Sequence, residues 1–461
     1  MATSIGGVFI STVAVVVGVL PLVLPSHLAH DGARIGQVVV LTSAAAFMCL
    51  QAAAAHRQRA GVDPLHTALL VAVVVLAGVS VARSAHPSIA AQELALMAGL
   101  ASLAAAFRRL ALPAATGKFW TCLVIGQLVY LAVSLGVFVA ALANHDPLDA
   151  RSFHLGFGNP RFLNHVQTLA IPLLVGISIA SPKRWVRFAA VMLAGFHTAW
   201  LFFDLARASL VALAASTAWL FYCSQRGQSL RTGVVAALGV SICLIVFVAI
   251  PHAMGRHWTS HFASARELGS SHSRDQLISA AWALASEHPW LGSGPMHFAH
   301  LNHAKGSHPH NAYLQWAAEL GWPAMLLLLL LLLIPLWRLT SRLRSAVAGP
   351  SAMHAAAGAA MVAALVDAGF SGNFVMPISQ LWIALAVGVL MQGVAGSTGP
   401  HGQVHGRWRL VAWLLILATQ LWLCRVTWEQ WQYDPPRLDA HGIAAQTPDK
   451  ERPRFWLRGG F

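Results

Sequence analysis

The sequence predicts an all-α polytopic membrane protein with about 12–13 transmembrane helices and one long aqueous loop. Three observations predict it. Of 461 residues, 57% are hydrophobic and only 10% charged, against about 25% charged in soluble proteins. The apolar residues come in runs of about 18 to 23, enough to cross a hydrocarbon core about 30 Å thick. Residues 251–321 break this pattern with ten of the 23 histidines and four basic residues, between the apolar runs 235–250 and 322–337. Polar chemistry is costly inside lipid, so a long polar island is where a membrane protein is expected to work.

In chain order, the predicted spans are 8–26, 36–55, 65–83, 90–107, 119–143, 163–180, 187–204, 208–223, 233–251, 321–338, 353–372, 379–396 and 408–424. The N-terminus lacks a basic leader and a small-residue cleavage site, so 8–26 reads as a first membrane helix. The span at 90–107 is the weakest, with Glu93 near one end; without it the count is twelve. Alternate loops carry 15 basic residues, from Arg57 and Arg59 through Arg407 and Arg409, and the opposite set carries nine, four of them in the long loop. The positive-inside rule then puts the N-terminus in the cytoplasm and the polar island outside. With thirteen spans, the tail from Arg425 also lies outside, while its six basic residues would suit the cytoplasm equally well.

The net charge of +14 reports topology in such a chain, which argues against nucleic acid as a partner. The five cysteines all fall in apolar runs, so neither a disulfide framework nor a CxxC metal site is expected.

Certain polar residues are out of place. Arg207 has almost no loop around it. Either it pairs with Asp204 three residues away, or its guanidinium fork clamps a phosphate. Ser271-His272-Ser273-Arg274-Asp275 precedes an amphipathic stretch at 276–285. Ser271 or Ser273 would cap that helix, with Arg274 in its first turn either solvated or facing an anion. Glu287-His288-Pro289-Trp290-Leu291-Gly292-Ser293-Gly294-Pro295 marks a tight turn. In His308-Pro309-His310-Asn311, Pro309 suits the first turn of a helix that ends at Gly321. A histidine there is kept neutral by the helix dipole and suits a general base; otherwise the loop is simply histidine-rich surface.

His297, His300 and His303 could share a helix face, which raises a metal-handling or transport protein as the rival class. No familiar zinc spacing accompanies them, and no metal or other cofactor is expected. Asp367 is the only acid between Ser351 and Ser397 and lies near a helix end. It is a functional candidate by default, or a buried partner that orients His310 or Arg274.

Taken together, these residues resemble the bacterial O-antigen ligase and O-antigen polymerase superfamily over residues 156–392. The resemblance rests on Asp204 to Ser209, Arg274, Trp282, the His288-Pro289 to Gly294 turn, and His310-Asn311 followed by Gly321. Ala324 departs from the ligase pattern, which tends to Gly, Thr or Tyr there. The resemblance implies N-terminal helices over 1–155, a catalytic core over 156–397 with a periplasmic loop at 252–320, and a last helix and tail over 398–461.

Family members move a glycan from undecaprenyl diphosphate to a hydroxyl of lipid A–core, of another lipid-linked unit, or of a pilin-type protein. The resemblance therefore implies an inner-membrane, metal-independent, inverting O-antigen ligase facing the periplasm. Pilin O-oligosaccharyltransferase and O-antigen polymerase are its nearest rivals. It assigns His310 as the base and Arg207 and Arg274 to the diphosphate. Asn311 and Gln380 are assigned to sugar hydroxyls, Asp367 to substrate binding as an orienting or supporting acid, and Arg161 to substrate binding.

Overall fold

The structure, a computed structural model, describes residues 29–54, 60–110, 113–148, 154–157, 159–204, 206–223, 244–256, 272–302, 307–345, 351–394, 402–404 and 406–433, with scattered positions at 9–20 and at 241. The long elements are α1 (Ala29–Ala54), α2 (Pro64–Arg83), α3 (Pro87–Arg109), α4 (Pro113–Ala143), α5 (Pro160–Ala180), α6 (Arg184–Phe203) and α7 (Arg207–Cys223). After a short turn of π-helix at Ile245–Ala249 come α8 (His272–Glu287), α9 (His297–Asn302), α10 (Ala312–Leu320), α11 (Trp322–Arg344), α12 (Ala352–Ala368), α13 (Pro377–Val394) and α14 (Gly406–Tyr433). Two three-residue strands, β1 (Ala60–Val62) and β2 (Gly402–Val404), pair antiparallel with Gly61 opposite Gln403.

Among the described residues, nine helices are long and apolar enough to cross a membrane: α1 to α6, α11, α13 and α14. The helices α7 and α12 are apolar but have 17 residues each, at the lower limit for a span. Eleven of the thirteen predicted spans therefore fall on described helices, while 8–26 and 233–251 lie largely outside the described residues.

Two boundaries differ for physical reasons. Helix α1 begins at Ala29 rather than 36, and takes His30, Asp31 and Arg34 into the bundle. It can do so because Arg34, 1% exposed, donates to Gln37, Gln380 and the Val375 carbonyl. Helix α14 runs to Tyr433 rather than stopping at 424, with Arg425 Nε 2.7 Å from Glu429 Oε1 one turn on.

The centre of the bundle is α12, packed against α5, α7 and α13. Its sequence is mostly alanine, so neighbouring backbones approach closely, as small residues allow between membrane helices. At Gly176 on α5, an added Cβ would lie 2.4 Å from the Ala356 Cβ. That contact brings the start of α5 beside the end of α12. At the opposite end of the bundle, Arg338 pairs with Asp63, and Arg109 lies within electrostatic reach of Arg108 and Arg409. The loops that the charge alternation assigns to one face thus meet at one end.

Candidate active site

At the other end, the beginnings of α1, α5, α8 and α13, the α6–α7 turn, the segment before α10 and the end of α12 carry the polar residues. Asn159 caps α5 by accepting from the Arg161 amide at 2.9 Å, and Arg161 Nη1 reaches the Asp204 carbonyl at 3.3 Å. Asp204 closes α6, and α7 opens at Arg207.

The pairing of Asp204 with Arg207 is not what the structure shows. The buried Asp204 carboxylate accepts from Asn164 Nδ2 at 2.7 Å and lies 3.0 Å from His154 Nε2. The reason is tertiary: α5 packs on α6 and brings Asn164 to a carboxylate that points into the bundle. Arg207 is exposed and, among the described residues, has no ion-pair partner. Asn164 also donates to Gln167, which meets His197, which in turn meets Gln127. A run of buried polar contacts thus supports the α5–α6 corner.

Arg274 lies in the first turn of α8, as expected, and is exposed. Arg207 and Arg274 both act electrostatically on Arg161. Arg274 acts also on His310. Arg207 and Arg274, from separate parts of the chain, therefore lie within electrostatic reach of Arg161, and Arg274 lies within reach of His310.

His310 sits just before α10, not within its first turn. The cap is Asn311, whose Oδ1 accepts from the Leu314 amide at 3.0 Å. Pro309 and His310 precede it, and His310 has φ +55°, a left-handed conformation that few non-glycine residues adopt. Its ring centroid is 4.1 Å from that of His308. Burial, with smaller contributions from Arg274 and His165, pushes His310 down to about 4. It is therefore neutral, with a lone pair, at ordinary pH.

The amide of Asn311 is used inside the protein at both ends, since Nδ2 donates to the Gly369 carbonyl at 3.2 Å. Gln380 accepts from Arg34 at 2.8 Å and from Gln37 at 2.9 Å, and donates to Phe374 O at 2.7 Å. Asp367 is bound neither to His310 nor to Arg274. Its Oδ2 is 3.0 Å from His165 Nδ1 and accepts from Ser371 Oγ at 2.8 Å. His165, His154, Asn164 and Arg34 also lie at this end of the bundle; the sequence offers the run 156–167, with Asn164 and His165, only as typical of the ligase-like group and gives none of the four a role. The available signal was the polar run Asn164-His165-Val166-Gln167-Thr168 at the start of an apolar span.

The glycine turn locks α10 in place. Ser293 N donates to Ala318 O at 2.9 Å, Gly294 N to Glu319 O at 3.0 Å, and Trp322 N to Pro289 O at 2.9 Å. Gly292, Gly294 and Gly321 all have positive φ. The His288-to-Gly294 turn and the glycine after α10 are therefore two sides of one contact, and that contact fixes the helix whose start carries His310.

His297 is held by the backbone at both ring nitrogens, accepting from His86 N at 3.1 Å and donating to Pro295 O at 2.9 Å. A metal would have to break one of these bonds. His303, the third residue of the proposed histidine face, lies outside the described residues.

Fold and site together define a multi-span helical membrane protein with guanidiniums and a neutral imidazole gathered at one end of its bundle. Residues 186–329, just under a third of the chain, match the family model described as O-Antigen ligase. That match supports the O-antigen ligase superfamily for this segment, a class of lipid-linked glycan transferases and ligases. The match spans Asp204, Arg207, Arg274, the glycine turn and His310, but not Arg161 or Asp367. No curated protein sequence matches the chain.

Proposed function

We propose that this protein is an O-antigen ligase of the bacterial inner membrane. It moves a glycan from undecaprenyl diphosphate to a hydroxyl of lipid A–core at the periplasmic face. The observation that carries this reading is that Arg207 and Arg274 lie within electrostatic reach of Arg161, and Arg274 within reach of a neutral His310. A diphosphate leaving group needs its growing charge neutralised, and guanidiniums match phosphate oxygens geometrically. Each donor aimed at that charge is worth about 3 kcal/mol in the transition state. The arginines supply this without a metal.

His310 removes the proton from the acceptor hydroxyl as its oxygen attacks the anomeric carbon from the side opposite the diphosphate, so configuration inverts. Asn311, Gln380 and Asp367 act as supports, holding α10, the loop after α12 and His165 around the base. The alternation of basic loops, and their meeting at the far end of the bundle, support a periplasmic site.

The test is a deletion strain, profiled for its lipopolysaccharide ladder beside the mass of its pilin. Loss of the ladder, restored by wild type but not by His310→Ala, is the expected result. An intact ladder with a lighter pilin would move the acceptor to protein, on the same site. No change in either would end the glycan-ligase reading.

The acid limb of the rate gives a second check. A histidine with the ordinary value of 6.5 would lose activity below that pH, whereas His310, held near 4, stays a base well below it. Transfer by purified protein is expected to persist at pH 5 and to fall towards about 4. The unfolded chain binds this proton more readily than the folded one. The stability contribution is therefore full above 6.5 and is lost as pH falls towards about 4. Arg274→Ala is expected to move the limb upward, because it removes one of the charges opposing protonation.

A further inference from the structure

Behind His310 lies a buried imidazole–carboxylate pair that the mechanism above leaves without a chemical task. The His165 and Asp367 side chains are 7% and 1% exposed, and Nδ1 and Oδ2 are 3.0 Å apart. Ser371 Oγ donates to the same Oδ2, and Oδ1 is buried with no hydrogen-bond partner among the described residues. A buried carboxylate so poorly satisfied is costly unless a positive charge comes to it. The bond at Nδ1 also fixes the tautomer, because the proton sits there and the lone pair is left on Nε2.

The turn that follows Asp367 packs beside His310, against the residues flanking it on two sides. A Cβ at Gly372, next to Ser371, would lie 2.6 Å from His308 Cε1, and the His308 ring is 4.1 Å from that of His310. Asn311 Nδ2 holds Gly369 O in the same turn at 3.2 Å. The turn after α12 thus touches the residues on both sides of the base. Charges on His165 and His310 are close enough to oppose one another. The carboxylate stands on the side of His165, and Arg274 stands on the side of His310.

We propose that His165, paired with Asp367, receives the proton that His310 takes from the acceptor hydroxyl. This rests on His310 being the base. The acceptor O–H bond breaks, and the oxygen electron pair forms the new bond to the anomeric carbon. The anomeric C–O bond to the diphosphate breaks, and its pair leaves on the phosphate oxygen. The proton passes from His310 to Nε2 of His165, where the Asp367 charge balances it, and it returns to solvent before the next turnover. Clearing His310 in this way relieves its repulsion by Arg274 while the diphosphate still needs that arginine.

The experiment uses the full chain in lipid nanodiscs, with a lipid-diphosphate glycan donor and a hydroxyl acceptor. It compares His165→Ala, His165→Gln, Asp367→Asn and His310→Ala with wild type. Both His165 variants and Asp367→Asn are expected to lower kcat about 100-fold, with the donor KM within about threefold of wild type. Added imidazole is expected to restore about tenfold of the loss in His165→Ala, which a purely structural defect would not allow. His165→Gln keeps a donor for Asp367 and guards against misfolding, read as an unchanged melting temperature. A wild-type kcat in His165→Gln would overturn the proposal. So would a loss in His165→Ala that imidazole does not touch. If His310→Ala is inactive while the His165 variants are normal, the proton-acceptor role alone fails. If His310→Ala is fully active, the base assignment fails and this inference falls with it.

Discussion

Replacement of His310 by alanine is expected to abolish glycan transfer, with a loss of about 10²–10⁴ in kcat if general-base catalysis is its whole contribution, while the protein still inserts and melts normally. Insertion should survive because His310 lies before α10 and outside the candidate spans. Stability should survive or rise slightly, since alanine removes a half-buried polar ring that its surroundings keep neutral. The left-handed backbone at φ +55° is strained for alanine as it is for histidine, by about 1–2 kcal/mol, so the difference is small. His310→Gly relaxes that strain and still has no base. The expected pattern is two inactive variants, with the glycine form at least as stable as the alanine form. The check is transfer rate and melting temperature measured on the same preparations. A glycine variant with substantial activity would show that backbone geometry, not the imidazole, is what the site needs at this position.

Much of this architecture was legible in the sequence because lipid imposes simple rules. Apolar runs of sufficient length gave the helices, and residues that lipid disfavours gave candidates for the site. Arg207 stood out for that reason, whereas Arg274 and His310, in the polar loop, gained their candidate roles from the family resemblance. Their partners were not legible. Asp204 is three residues from Arg207, yet its carboxylate meets His154, fifty positions earlier, and Asn164. Local spacing describes what one helix face can do, whereas the pairing is set by which helix ends the bundle brings together. The start of α1 was misplaced for the same reason. Arg34 reads as a loop residue until Gln380 and Val375, more than three hundred positions away, supply its hydrogen bonds. The glycine motif was legible as a turn, but its purpose appears only when it is seen docked on the far end of α10.

That docking makes Gly292→Ala the substitution with the largest expected effect on the folded protein. Gly292 has φ +66°, and an added Cβ would lie 2.2 Å from the Glu319 carbonyl carbon and 2.4 Å from Leu320 N. These are backbone atoms of α10, so no side-chain rotation relieves the overlap. Two costs add: the left-handed conformation, about 1–2 kcal/mol for an L side chain, and overpacking, about 1–3 kcal/mol. The only escape is for the turn to lift from α10, which lengthens the bonds from Ser293 N to Ala318 O and from Gly294 N to Glu319 O. Because α10 begins at the cap beside His310, lifting one end also disturbs the base. The expected result is a clear fall in melting temperature together with loss of transfer. Gly136→Ala in α4 is the control, since nothing lies within 4 Å of a Cβ there and a helical alanine is favoured over glycine by about 1 kcal/mol. A Gly292→Ala protein that melts and transfers like the Gly136→Ala protein would mean that the turn does not seat on α10 as described. The link between the glycine motif and the placement of His310 would then have to be given up.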